Sequence, residues 1–193
     1  MAKFELKTNQ EITNFLLEVY EIHNEAQSNY LCSRLLYENS YDNTKQPPYT
    51  NIQLVYLSIS IHKLYIIQLD MLYWHKQEYS FLRFFNGLYN VDAVALGYTT
   101  TEINKWRSKL KTAKKIIDNV HKLRNNLYAH KTELANECKT ISTIFSDLDK
   151  LFEVGEEIIV EAYKIMGTNI QMNYWYNENQ FILDLQTLIS DKI

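Results

Sequence analysis

Apolar residues recur at steps of three and four through most of this chain, the spacing of one face of an α-helix. Ile12, Phe15, Leu16, Val19, Ile22, Ala26, Tyr30 and Leu31 predict a first helix over 8–39. Thr8, with Glu11 three residues on, forms its capping box. A second helix is predicted over 50–76, opened by Thr50. Ile52, Val55, Ile59, His62, Ile66, Leu69 and Tyr73 make one stripe. Leu54, Leu57, Ile61, Leu64 and Met71 widen it, so this helix is expected to be buried on several sides. Thr99 with Glu102 opens a third helix, over about 100–128, with a stripe of Trp106, Leu110, Ala113, Ile117, Val120, Leu123 and Leu127. The fourth runs over about 143–166 on Ile144, Leu148, Leu151, Ile158, Ile159, Ala162 and Ile165. It stops at Gly167, a residue suited to the position after a helix.

Between these elements the pattern weakens. Residues 41–49 hold both prolines, Pro47 and Pro48, and read as a loop. Residues 77–98 read as irregular apart from one short helix through Phe81–Phe85. Residues 131–142 read as a polar connector, and a short helix is expected over 178–191 after the aromatic string Tyr174-Trp175-Tyr176. No strand is predicted. The expectation is an all-α, single-domain helical bundle of four main helices plus short additional ones. Its core is expected over about 50–166, with the N-terminal helix and the C-terminal short helix packed on it.

Composition narrows the class. The chain of 193 residues has 4 Gly and 2 Pro, where average usage gives roughly 14 and roughly 10. Sandwiches, barrels and doubly wound sheets consume those residues in turns, so they are disfavoured. A hydrophobic fraction of 46% excludes disorder. Cys32 and Cys138 make neither a disulfide framework nor a thiolate zinc site. The N-terminus lacks the features of a signal peptide. The most apolar run, Leu64 to Trp74, is broken by Gln68 and Asp70 and is too short for a bilayer span. A soluble cytoplasmic protein with no membrane association is expected.

The formal charge of −3 conceals a polarised chain. Lys105, Arg107, Lys109, Lys111, Lys114, Lys115, Lys122, Arg124 and Lys131 stand against a single acid, Asp118, which gives +8 over 27 residues. The other residues, 11 basic and 22 acidic, carry −11. With so few acids at i,i+4, the cationic helix is expected to lack internal compensation and to gather phosphates. The competing reading is a solvated, Lys-rich helix face.

That helix ends in Leu123-Arg124-Asn125-Asn126-Leu127-Tyr128-Ala129-His130-Lys131. Arg124 and His130 suit metal-free RNA cleavage. A histidine can take the proton of an attacking 2′-hydroxyl. An arginine can clamp the phosphate as charge builds on it. Asn125 can orient either one, and Tyr128 can stack on a base or donate to phosphate. The string Arg-Asn-x-x-x-Ala-His resembles the RNA-cleaving motif of the HEPN superfamily, and is most similar to its abortive-infection branch. The resemblance implies an endoribonuclease that leaves a 2′,3′-cyclic phosphate and a 5′-hydroxyl. It further implies a toxin or phage-defence role, a homodimer with facing motif helices, and a dedicated antitoxin as partner. Thr132 stands where toxins paired with nucleotidyltransferase antitoxins carry Tyr. The expected roles are catalytic for Arg124, His130 and Asn125, and substrate-binding for Tyr128, Lys131, Lys122 and His121. No metal or cofactor is expected.

Two alternatives stay open at the motif itself: His130 capping the helix terminus, and Arg124 pairing with Glu156 or Glu157. On one straight helix, side chains six apart stand about 120° apart around the axis and about 9 Å apart along it. The helix is therefore expected to end or bend near Tyr128, or the site to be completed across a two-fold axis. Two further readings of the whole chain also remain: a non-catalytic RNA- or nucleotide-binding HEPN module, and a helical protein-interaction module. His23 and His62 are expected to be core histidines. Asp147, Asp149, Glu153, Glu156 and Glu157 are expected to form a solvated face. His75 and His121 are not expected to make a metal site, and His121 has no carboxylate or histidine at i+3 or i+4.

Overall fold

A computed structural model of the protein describes residues 4–42, 49–129, 134–168 and 170, with the backbone alone for 41–42, 49–50, 126–129 and 134–144. The fold is all-α. Helix α1 covers Asn9–Glu38, and Thr8 and Glu11 close the expected capping box. A two-residue antiparallel ladder, β1 (Tyr41–Asp42) with β2 (Tyr49–Thr50), was not foreseen, and the prolines of the expected loop lie outside the described residues. Thr50 belongs to that ladder, so the cap of α2 (Ile52–Tyr73) is Asn51, whose side-chain oxygen accepts from the backbone of Gln53 and Leu54. The run Leu64–Trp74 is thus the end of a 22-residue helix, long and apolar enough by length and composition to cross a bilayer. In the fold α2 packs against α1 and against two later helices, Lys114–Ala129 and Leu134–Ile165.

The stretch expected to be irregular holds two helices, α3 (Phe81–Gly87) and α4 (Val91–Ala95), capped by Ser80 and Asn90. The expected third helix is two: α5 (Thr100–Thr112) and α6 (Lys114–Ala129). The break falls at Ala113, whose N–H turns back to Leu110. Neither Gly nor Pro is present to signal it. Ala113 is buried, and the bend lets α5 lie against α3 and α7 while α6 lies along α2. Helix α7 (Leu134–Ile165) starts well before residue 143. The polar stretch expected as a connector contains Leu134, Ala135, Glu137 and Lys139, all good helix formers. Gly167 takes a left-handed φ of 75° just past α7, as expected. The expected helix over 178–191 and the Tyr174–Tyr176 string lie outside the described residues.

The core is aromatic. Phe81, Phe84, Phe85, Tyr98 and Trp106 are fully buried and contact one another edge-on or tilted, apart from the stacked pair Phe84–Trp106. The apolar stripes point into it: Phe15 and Leu16 from α1, Ile66 and Leu69 from α2, Leu148, Leu151 and Ile159 from α7. His23 and His62 are core histidines, as expected. The His23 Nε2–H donates to the carbonyl of Phe152 (3.1 Å), and His62 Nδ1 bonds the Tyr65 hydroxyl. Burial pushes the two rings down from 6.5, to about 4 and about 3. Gly155 lets α7 approach His23 and Tyr73 closely, since a Cβ there would stand 2.8 Å from the His23 ring and closer still to the Tyr73 hydroxyl.

A ring of polar side chains at the end of the cationic helix

The cationic segment is less bare than its sequence implies. Lys105 and Lys109 reach Glu161 of α7 at 2.9 and 3.1 Å, and Lys109 also reaches Glu157 at 2.7 Å. Lys114 pairs with Asp118 at 2.6 Å in the i,i+4 geometry expected to be missing. Arg107 donates to Asn86 and lies over the Tyr89 ring. The expectation of an uncompensated helix is therefore wrong for its first half. Acids of α7, far away in sequence, supply what the local spacing lacks. Part of the acidic face expected to be solvated is engaged in this way, and Asp149 likewise accepts from the Tyr30 hydroxyl at 2.6 Å. Lys111, Lys115 and Lys122 are exposed.

The organised polar cluster lies in the second half of α6, over α2. Asp70 is the anchor. It faces inward from the last turn of α2 and is 2% exposed. Its Oδ1 accepts from His121 Nδ1 at 2.7 Å, its Oδ2 accepts from Gln77 Nε2 at 3.0 Å, and Arg124 Nε lies 3.8 Å from Oδ2. A buried carboxylate without such partners would carry a large desolvation cost. His121 and Arg124 are i and i+3, neighbours on one face of α6, so the two reach the same acid.

The outer side of the cluster closes through Asn125. Its Nδ2 donates to His121 Nε2 at 3.1 Å, and its Oδ1 accepts from Arg124 Nη1 at 3.1 Å. Asp70, His121, Asn125 and Arg124 thus form a closed ring. Because a carboxylate can only accept, the His121 Nδ1 must carry its proton toward Asp70, which leaves Nε2 facing outward. Trp74 lies flat on the imidazole, with centroids 3.5 Å apart and planes 4° apart, and locks the ring orientation. His121 and Arg124 remain accessible, their side chains 23% and 39% exposed. Arg124 gives the ring one cation at its rim, and His121 Nε2 adds a donor to an anion only when it too carries a proton.

Of the residues predicted from sequence, Arg124, Asn125, His121 and Lys122 share this part of α6. The last described turn of α6 runs to Ala129, and the expected end or bend near Tyr128 falls where the described residues stop. Tyr128 lies in that last turn, where the backbone alone is described. His130 and Lys131 lie outside the described residues. Glu157 is taken by Lys109, and Arg124 sits over Asp70 instead. Sequence reading missed Asp70, Gln77 and Trp74. The signal for Asp70 was its place as an acid inside the apolar end of a buried helix, which demands a partner. Among the described residues no group of three or more His, Cys, Asp or Glu could hold a metal ion. Burial raises the Cys32 thiol to about 11, which leaves it a poor nucleophile. An open groove of about 470 Å³ lies elsewhere, between the N-terminal segment, the start of α1 and Glu78–Arg83; it contains none of these residues.

No protein-family model matches the chain, and searches of the curated proteins and of the solved structures find no match either.

Proposed function

We propose that the protein is a metal-independent endoribonuclease of HEPN type. RNA binds at the exposed end of α6. Arg124 clamps the scissile phosphate, Asn125 sets the guanidinium until the phosphate takes its place, and His130 takes the proton of the attacking 2′-hydroxyl. Tyr128, Lys122, Lys131 and His121 contact the substrate around them. The observation that carries this reading is the seating of Arg124. Its guanidinium is oriented from one side by the buried Asp70 and from the other by Asn125, and the side chain is 39% exposed. A cation held that way is poised for a phosphate, and pre-organised charge is what stabilises a phosphorane-like transition state.

A second copy of the chain would complete the cleft across a two-fold axis, and the resemblance to toxins adds a toxin or phage-defence setting in the cytoplasm with an antitoxin partner. In support of self-association, α2 exposes Ile52, Tyr56, Leu57 and Leu64, each about half accessible, on its outer side. The same stripe favours, as the second reading, a helical module that binds another protein.

The test is cleavage of labelled structured RNA in EDTA by the wild type, Arg124→Ala and His130→Ala. The proposal requires cleavage by the wild type and its loss in both variants. Binding without cleavage by the wild type would point to a non-catalytic RNA module. Neither binding nor cleavage would leave the protein-interaction reading. Light scattering at the assay concentration is expected to give a dimer, and a monomer that cleaves RNA would remove the shared cleft.

A further inference from the structure

Cleavage by 2′-hydroxyl attack moves two protons, and the proposed reading assigns a residue to only one of them. The 2′-oxygen loses a proton as it bonds to phosphorus. The 5′-oxygen of the next nucleotide gains one as its bond to phosphorus breaks. Without a donor, that oxygen departs as an alkoxide, which is a poor leaving group.

We infer that His121 is the donor to the leaving 5′-oxygen, held in that role by Asp70. This inference rests on the endoribonuclease reading above. Three observations carry it. The Asp70–His121 contact at 2.7 Å fixes which ring nitrogen faces inward, so Nε2 is the working atom. Trp74, stacked 3.5 Å away, prevents the ring from turning. Finally, Nε2 and the Arg124 guanidinium converge on one small polar group, since each lies 3.1 Å from an end of the Asn125 amide. The space spanned by that amide is the size of a phosphate edge. A phosphate that displaced it would place one non-bridging oxygen on Arg124 and the leaving oxygen against Nε2.

The step balances. The 2′-oxygen bonds to phosphorus and gives its proton to the base, assigned to His130. The P–O5′ bond breaks as the proton on His121 Nε2 moves to O5′. The products are a 2′,3′-cyclic phosphate and a 5′-hydroxyl. In the reactive form Nε2 carries a proton, and Asn125 turns its amide to offer Oδ1 or withdraws. In the structure Nε2 lies 3.1 Å from Asn125 Nδ2, a contact in which a ring nitrogen without a proton accepts. Asp70 is buried beneath the ring and touches no substrate, so it is a positioning residue.

The experiment replaces the leaving oxygen. An RNA oligonucleotide that the wild type cuts is made with sulfur in place of O5′ at the cut position. A thiolate leaves without a proton, so a donor is not needed. Proton transfer of this kind contributes about 10²–10⁴-fold. His121→Gln is therefore expected to cut the ordinary RNA about 10²–10⁴-fold more slowly, and the sulfur-substituted RNA at about the wild-type rate. Asp70→Asn is expected to show a smaller loss with the same rescue, while Arg124→Ala and His130→Ala are not rescued. His121→Gln cutting ordinary RNA like the wild type, or staying slow on both substrates with an unchanged melting temperature, overturns the inference and leaves the endoribonuclease reading intact. A wild type that cuts neither substrate overturns both.

Discussion

Two buried histidines make the fold sensitive to mild acid. His23 and His62 are 0% and 3% exposed, and desolvation lowers their rings from 6.5 to about 4 and about 3. In the unfolded chain both return to 6.5. Below 6.5 the unfolded chain therefore binds protons that the native protein does not, and stability falls as pH falls. At pH 5 each group is about 1.5 units below its unfolded value and still above its folded one. Each then costs about 2 kcal/mol, at 1.36 kcal/mol per unit, or about 4 kcal/mol together. Native domains are stable by only about 5–15 kcal/mol. For a chain of this size the loss corresponds to roughly 8–16 °C in Tm. The carboxyls of Glu11 and Glu161 are held below 4.5, so what they contribute is present above 4.5 and lost only further into acid, outside this window. The assay is urea unfolding at pH 7.5 and pH 5.0, for the wild type and for the double variant His23→Gln/His62→Gln. The wild type is expected to lose about 4 kcal/mol more than the double variant between the two pH values. Equal losses would refute the reasoning, because other groups would then carry the pH dependence.

Gly155→Ala is expected to lower stability by about 1–3 kcal/mol in thermal melts. The added methyl collides with the His23 ring and the Tyr73 hydroxyl, both fully buried, and this outweighs the gain of about 1 kcal/mol in helix propensity. Asp70→Asn is expected to cost about 1–3 kcal/mol in urea unfolding, because the new amide cannot accept from both His121 and Gln77, and carries no charge opposite Arg124, as the carboxylate does. Because His121 and Arg124 are partly exposed and can rehydrate, the loss is expected to stay below the 3–5 kcal/mol typical of a fully buried pair.

Local signals announced much of the fold. Thr8 with Glu11 and Thr99 ahead of Glu102 are helix starts written within four residues, and both caps form. The stripes of α1 and α7 are also local, and they name the core. The break at Ala113 is not local: it carries no breaker residue, and the packing of α5 and α6 onto different neighbours imposes it. The proline loop concealed a short ladder, because two paired residues on each side leave no alternating pattern to read.

The candidate site shows the same division. Arg124 and Asn125 were found through their spacing in one helix. The charge of the helix was misjudged because its partners Glu157 and Glu161 lie about 50 residues away. Asp70 lies 51 residues from His121 and was read only as an interruption in an apolar run. An acid on the buried face of a helix was nonetheless the strongest clue available. It had to be paired, and a histidine and an arginine three apart on the next cationic helix were the partners to seek.

The central claim is that RNA is cut by its own 2′-hydroxyl at Arg124. The most direct measurement uses a short RNA that the wild type cuts at one position in EDTA, with the products identified by mass spectrometry. The account predicts a 2′,3′-cyclic phosphate and a 5′-hydroxyl, no cleavage when that one 2′-hydroxyl is replaced by hydrogen, and loss of cleavage in Arg124→Ala. Cleavage that survives the 2′-deoxy substitution, or products ending in a 5′-phosphate, would contradict it.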